Sequence, residues 1–264
     1  MNNQAIGIFD SGIGGLTVAT QIAKVLPNES LVYLGDTARV PYGTRGSSVI
    51  KQFSKELVTF LLSKKVKALV VACNTISAVA LEDLFKNCPV PIIGVVKPTV
   101  AEVIKTSKSK RVGVIGTKAT IASQIYKKEI YELDPLFQVY QVAAPMLVPL
   151  VEEGLQNHGA TKLLLLEYLD PILDKIDTLV LGCTHYPLLT HTIKELINPK
   201  ITIVESGLPT ARALQELLQK KQLLAQKKSA QSKFYFTDLT EQTKKIAGQF
   251  FGGQKPQPIE KIKL

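Results

Sequence analysis

The chain has 264 residues, 45% of them hydrophobic and 20% charged, with a formal net charge of +10. That length can bury one large core or two small ones, and no apolar run approaches the roughly 18 residues that a membrane span needs. The charge is local: residues 216–264 hold ten Lys against four Asp/Glu, whereas only Arg111 and Arg212 lie beyond residue 45. Without an aromatic–basic ladder, this stretch reads as a solvated surface ahead of a nucleic-acid interface.

Apolar runs and helical patterns alternate along the chain. Residues 5–10 (AIGIFD) read as a buried strand and 15–26 as the helix after it. A strand at 30–36 and a helix at 47–64 follow, then a strand at 67–73 and a helix at 74–86. Another strand covers 91–96. The pattern restarts with a strand at 111–117, a helix over 119–133, a strand at 177–183 followed by a helix, and a strand at 201–207. The last stretch holds a strand-like KFYFTD and a helix-like QTKKIAGQFFG, which is expected to return to the first half. Strands without polar alternation, separated by helices, predict parallel sheets covered on both faces.

The second half repeats the first. IGIFDS (6–11) aligns with VGVIGT (112–117) at an offset of 106, and ALVVACNT (68–75) with TLVLGCTH (178–185) at an offset of 110, cysteine on cysteine. The expected fold is therefore α/β: two similar lobes, each a mostly parallel sheet flanked by helices, with a site between them. The expected lobes are residues 1–97 with 208–264, and residues 98–207.

The N-terminal sequence lacks a basic segment followed by a long apolar stretch, so no signal peptide is expected and a cytoplasmic location follows. Cys73, Cys88 and Cys183 are odd in number and widely spaced, which fits neither a disulfide framework nor a zinc site. Free thiols in a reducing compartment are expected.

In open parallel sheets, ligands bind beyond the carboxyl ends of the strands. Four strands end there in polar or reactive groups: Asp10-Ser11-Gly12, Cys73-Asn74-Thr75, Gly116-Thr117 and Cys183-Thr184-His185. The Gly-rich turn after Asp10 is either a tight turn with Asp10 as helix N-cap, or a place where Ser11 and free N–H groups hold a carboxylate while Asp10 holds an ammonium group or orients a cysteine. One cysteine ending a buried strand is ordinarily a small core residue. Two at equivalent positions, each followed by Asn, Thr or His and a helix start, point to paired acid/base thiols. Inversion at carbon needs a proton removed from one face and returned to the other, which two opposed groups do and one cannot easily do. A free thiol titrates near about 8.5, close enough to neutrality for that work. His185 and Asp36 are candidates to tune Cys183 and Cys73 respectively, and Glu152 and Glu153 have equal claims to a place near Cys183. Pro41-Tyr42-Gly43 reads as a turn. Cys88, His158 and His191 carry only structural readings.

At GIFDSGIGGLTV (7–18), VYLGDTARVPYGTR (32–45), VVACNTISA (70–78), VGVIGTKATI (112–121), VPLVEEG (148–154) and LVLGCTHYPLL (179–189), the chain resembles the bacterial glutamate racemases of the aspartate/glutamate racemase superfamily. The resemblance implies interconversion of L- and D-glutamate between the lobes, without pyridoxal phosphate or metal, supplying D-glutamate for peptidoglycan. It implies that Cys73 deprotonates D-glutamate and Cys183 L-glutamate. It places Asp10, Ser11, Pro41, Tyr42, Gly43, Asn74, Thr75, Thr117 and Thr184 on the substrate, with Asp36, Glu152 and His185 assisting proton transfer. A homodimer is implied by analogy only. Three places depart from the family pattern: Lys97 stands where an acid is usual, QVAAPM (141–146) lacks the cysteine often seen before its proline, and Glu205 stands where Asp is common. A long N-terminal extension of the sort linked, in some relatives, to activation by a cell-wall precursor is not expected. Competing readings are a racemase for aspartate or another acidic amino acid, a gyrase- or DNA-binding protein using the basic C-terminus, and a hydrolase or maleate isomerase in which one cysteine attacks carbon.

Overall fold

A computed structural model describes residues 3–227 and 230–264. Met1, Asn2, Lys228 and Ser229, which belong to the N-terminal and Lys-rich stretches considered above, lie outside the described residues. The strands are β1 (Ile6–Asp10), β2 (Leu31–Gly35), β3 (Ala68–Val71), β4 (Ile92–Gly94), β5 (Arg111–Gly116), β6 (Gln138–Ala143), β7 (Thr178–Gly182), β8 (Thr202–Glu205), β9 (Lys233–Phe236) and β10 (Ile259–Lys261). They form two sheets, β10-β9-β2-β1-β3-β4 and β6-β5-β7-β8, and every pairing is parallel. β1, β2, β3 and β7 are buried at every residue, as strands covered by helices on both faces must be.

The internal repeat extends to topology and register. The order β2-β1-β3-β4 is matched by β6-β5-β7-β8. Phe9 lies opposite Val71 in the first sheet, and the residues aligned with them, Ile115 and Leu181, lie opposite each other in the second. β9 and β10 extend the first sheet beyond β2. Helices Val96–Thr106 and Gly207–Lys220 span the two crossings between the sheets and pack on each other, and the second also packs on helix Leu16–Val25.

Several elements differ from the sequence expectation. The helix expected over 119–133 is two, Lys118–Ala122 and Ile125–Leu133, with Gln124 left-handed at φ 56° between them. Ser123 causes the break: its hydroxyl donates to Thr120 O at 2.6 Å and accepts from Ile125 N at 3.3 Å, competing with the helical ladder. The helix expected over 74–86 divides at Ala80, where Ser77 Oγ donates to Val71 O and pins the short first segment to its strand. The strand expected to reach residue 96 stops at Gly94, because Pro98 suits the first turn of the helix that begins at Val96. β6 and β10 were not expected; both are edge strands whose residues are half-buried or exposed. Among the described residues no helix is long and apolar enough to cross a membrane.

Candidate active site

The carboxyl ends of β1, β3, β5 and β7 meet at a cleft of about 340 Å³. Ser11, Cys73, Asn74 and Thr75 reach it from the first sheet, and Thr117, Cys183, Thr184 and His185 from the second. Val40, Pro41, Tyr42 and Gly43 close one side and Val148 another. Cys73 and Cys183 are 5% and 6% exposed, so each sulfur meets the cleft from a nearly closed wall.

Each cysteine is held by its own strand end. Cys73 is the N-cap of helix Asn74–Val79; its Sγ accepts from Ile76 N and donates to Ser11 Oγ, both at 3.5 Å. Cys183 Sγ faces His185 Nδ1 at 3.9 Å, and His185 Nε2 meets Glu152 Oε1 at 2.9 Å. The choice between Glu152 and Glu153 is thereby resolved in space: Glu153 instead accepts from Gln242 Nε2 at 3.3 Å. Phe250 stands edge-on to the His185 ring, with centroids 5.1 Å apart.

Asp10, Asp36 and Glu152 stand behind the cleft and do not line it. Asp10 holds the Gly-rich turn and does not cap the helix: its Oδ2 accepts from Gly12 N at 3.0 Å, its Oδ1 accepts from Thr184 Oγ1 at 3.4 Å, and Gly15 occupies the N-cap. Asp36 makes no hydrogen bond to Cys73. Its carboxylate is taken by Arg39 Nε at 2.6 Å, by Thr237 Oγ1 at 2.8 Å and by the Tyr42 hydroxyl, so it reaches the cleft through Tyr42. Thr75, Thr117 and Thr120 form a hydroxyl cluster across the lobes, with Thr75 Oγ1 2.9 Å from Thr117 Oγ1 and Thr120 Oγ1 3.0 Å from Thr117 Oγ1. Asn74 Oδ1 accepts from Tyr126 OH at 2.6 Å and Ser206 Oγ at 3.5 Å, while its Nδ2 is buried with no partner.

Glycines let the lobes approach. A Cβ on Gly14 would lie 2.4 Å from Thr184 Oγ1 and 2.5 Å from His185 Nδ1, and one on Gly43 would lie 2.5 Å from Thr117 Cβ. The three departures lie outside the cleft lining: Lys97 is largely exposed beside Glu129 at 3.7 Å, Ala144 before Pro145 is buried and accepts from Tyr186 OH at 2.8 Å, and Glu205 accepts from Thr190. Cys88, His158 and His191 are also remote from it, the last two engaged with Ala160 N and Glu195.

Residues 16–221 match the Asp/Glu/Hydantoin racemase family. The chain belongs to that family. It is an isomerase among relatives named glutamate racemase. That of Streptococcus pneumoniae serotype 19F (strain G54) is 44% identical over 218 residues, 83% of each chain. The crystal structure of a Bacillus anthracis glutamate racemase superposes with a TM-score of 0.95 at 39% identity, covering 100% of this chain and 99% of that one. The Francisella tularensis glutamate racemase, solved with D-glutamate, superposes with a TM-score of 0.93 at 35% identity, covering 99% and 98%.

In this member of the racemase family the two thiols sit in different electrostatic surroundings. Burial pushes the Cys73 thiol up to about 12, and the nearby Asp10 carboxylate pushes the same way against the bonds from Ser11 and Ile76. Burial would push His185 down, but its bonds to Cys183 and Glu152 outweigh that and hold the imidazole at about 10. Burial raises Asp10 above the ordinary carboxylate range, while His185 and the backbone bonds partly offset it. At neutral pH the cleft therefore presents a protonated Cys73 on one side and Cys183 beside a cationic imidazole on the other.

The sequence did not point to Tyr126, Ser206, Thr120, Thr237 or Phe250. Thr120 lies one turn into the helix that Thr117 caps, where a threonine does not complete a capping box. The others arrive from distant elements with no local mark.

Proposed function

We propose that the chain is a glutamate racemase that interconverts L- and D-glutamate by a two-base mechanism needing no cofactor. The reading rests on one observation: Cys73 and Cys183 reach one cleft from equivalent strand ends of two repeated sheets. Cys183 takes the α-hydrogen of L-glutamate as a proton, the C–H electron pair passes into the α-carboxylate, and Cys73 gives its thiol proton to the opposite face. The reverse sequence serves D-glutamate.

Ser11, Asn74, Thr75, Thr117 and Thr184, with the turn Pro41-Tyr42-Gly43, supply donors for the two carboxylates. Asp10 acts from behind the cleft wall, where the ammonium charge offsets the carboxylate that, after burial, raises the Cys73 thiol. Asp36 acts through Tyr42, and Glu152 through His185. The Asn74 donor left without a partner inside the cleft supports an acceptor-rich ligand. The bound D-glutamate of the Francisella tularensis relative supports the substrate. We place the enzyme in the cytoplasm, where it supplies D-glutamate for peptidoglycan.

The test is turnover in heavy water, with L- and D-glutamate and, for comparison, both enantiomers of aspartate. Solvent deuterium is expected at the α-carbon of the product glutamate enantiomer. Retention of the original hydrogen would refute the two-base scheme, and a clear preference for aspartate would refute the substrate.

A further inference from the structure

Asn74 presents a problem of orientation. An amide carries an acceptor at one end and donors at the other, and a substrate carboxylate accepts only, so Asn74 serves the cleft only when Nδ2 faces it. The backbone of the short helix Asn74–Val79 does not fix which end points inward. Two hydroxyls from outside that helix do: Tyr126 OH at 2.6 Å and Ser206 Oγ at 3.5 Å, both on Asn74 Oδ1. The shorter bond comes from Tyr126, which is fully buried in the second lobe, on helix Ile125–Leu133.

The placement of Tyr126 is constrained from a second direction. Its ring lies against Gly182, where a Cβ would approach Tyr126 Cε2 at 3.3 Å, so the residue before Cys183 and the residue after Cys73 are referenced to one phenol. We infer that Tyr126 is a positioning residue for substrate binding: its hydroxyl, reaching across from the second lobe, locks the Asn74 amide so that Nδ2 points into the cleft. The inference rests on the racemase reading above. It adds that substrate affinity in the first lobe is set by a hydroxyl in the second.

Tyr126→Phe removes only the hydroxyl and leaves the ring against Gly182. KM for glutamate is expected to rise about fivefold to tenfold, as for loss of one net hydrogen bond, with kcat changed much less. The fall in kcat/KM must be matched in the two directions, because the enantiomers have equal free energy. A second arm repeats the change in an Asn74→Ala background, where it should leave KM at the value set by Asn74→Ala alone, since the amide to be oriented is gone. A structural role would lower the melting temperature and act equally in both backgrounds. An unchanged KM in Tyr126→Phe, or the same multiplicative effect with and without Asn74, overturns the inference while leaving the racemase reading intact. The comparison is run on whichever of glutamate or aspartate the wild type turns over; inertness on both would remove the racemase reading and this inference together.

Discussion

His185 Nε2 lies 2.9 Å from Glu152 Oε1, and this contact joins the one to Cys183 in setting the imidazole's charge. Burial opposes a charged imidazole, and the bonds to Cys183 and Glu152 together override it. Glu152→Gln removes the countercharge and leaves burial in place. We expect kcat/KM for glutamate to fall by roughly tenfold to a hundredfold, equally in both directions. The alkaline limb of the pH profile should move to lower pH, because the ring then loses its proton earlier. Initial rates by circular dichroism across pH check this; an alkaline limb that stays in place would show that the ring charge does not govern turnover.

The same pair has a consequence for stability. His185 binds its proton more tightly in the folded chain, at about 10, than at its ordinary value of 6.5. Its contribution is therefore fully present below about 6.5 and is lost as pH rises through about 10. The urea midpoint of the wild type should exceed that of Glu152→Gln at the acid end of this window, and the difference should shrink towards its alkaline end. A difference that grows with pH would contradict the sign.

Removing either thiol separates the two faces of the reaction. Cys73→Ala and Cys183→Ala should each reduce racemisation by roughly three orders of magnitude or more, since a full inversion uses both groups. Each variant keeps one base. Cys183→Ala should still exchange the α-hydrogen of D-glutamate with heavy water, and Cys73→Ala that of L-glutamate, as read by proton NMR. Exchange of both enantiomers by both variants would mean that a single base reaches both faces.

The cysteine walls were legible because they end central strands, where uninterrupted apolar runs such as ALVVAC and TLVLGC announce both the strand and its reactive terminus. The same logic missed β6, an edge strand whose Gln138 and Gln141 interrupt the apolar pattern, although the repeat required a partner for β2 there. Groups that arrive from far along the chain left no local trace. Thr237 meets Asp36 across 201 positions and Ser206 meets Asn74 across 132. Asp36 could be read as a candidate, but its capture by Arg39, three residues on, depends on a turn geometry that composition does not encode.

Gly14 has no room for a side chain. A Cβ there would sit 2.4 Å from Thr184 Oγ1 and 2.5 Å from His185 Nδ1. Both atoms belong to short side chains on the segment that carries Cys183, so relief means moving that segment away from the Gly-rich turn. Gly14→Ala should lower kcat/KM by roughly a hundredfold through misplacement of Cys183, with far-ultraviolet circular dichroism unchanged. Near wild-type turnover would show that the two segments can separate without cost.

Lys67 and Glu29 provide the opposite case, a buried pair remote from the chemistry. Their charged groups lie 2.6 Å apart and are almost wholly buried. Each residue precedes a strand, β3 and β2 respectively, so the pair lies at the amino edge of the first sheet and the cleft at its carboxyl edge. Lys67 Nζ also donates to Leu223 O at 2.7 Å, and Glu29 Oε1 accepts from Ala225 N at 2.8 Å, so the pair fastens the segment after helix Gly207–Lys220 back onto that sheet. Lys67→Met leaves a carboxylate buried without its countercharge and should destabilise by about 3–5 kcal/mol. Adding Glu29→Gln should recover much of that loss, because the stranded charge is then gone. Urea unfolding of the two variants beside the wild type measures both effects, and glutamate turnover at a temperature where all three are folded should stay within about twofold. A single variant as stable as the wild type would mean that the segment holds its place without the ion pair.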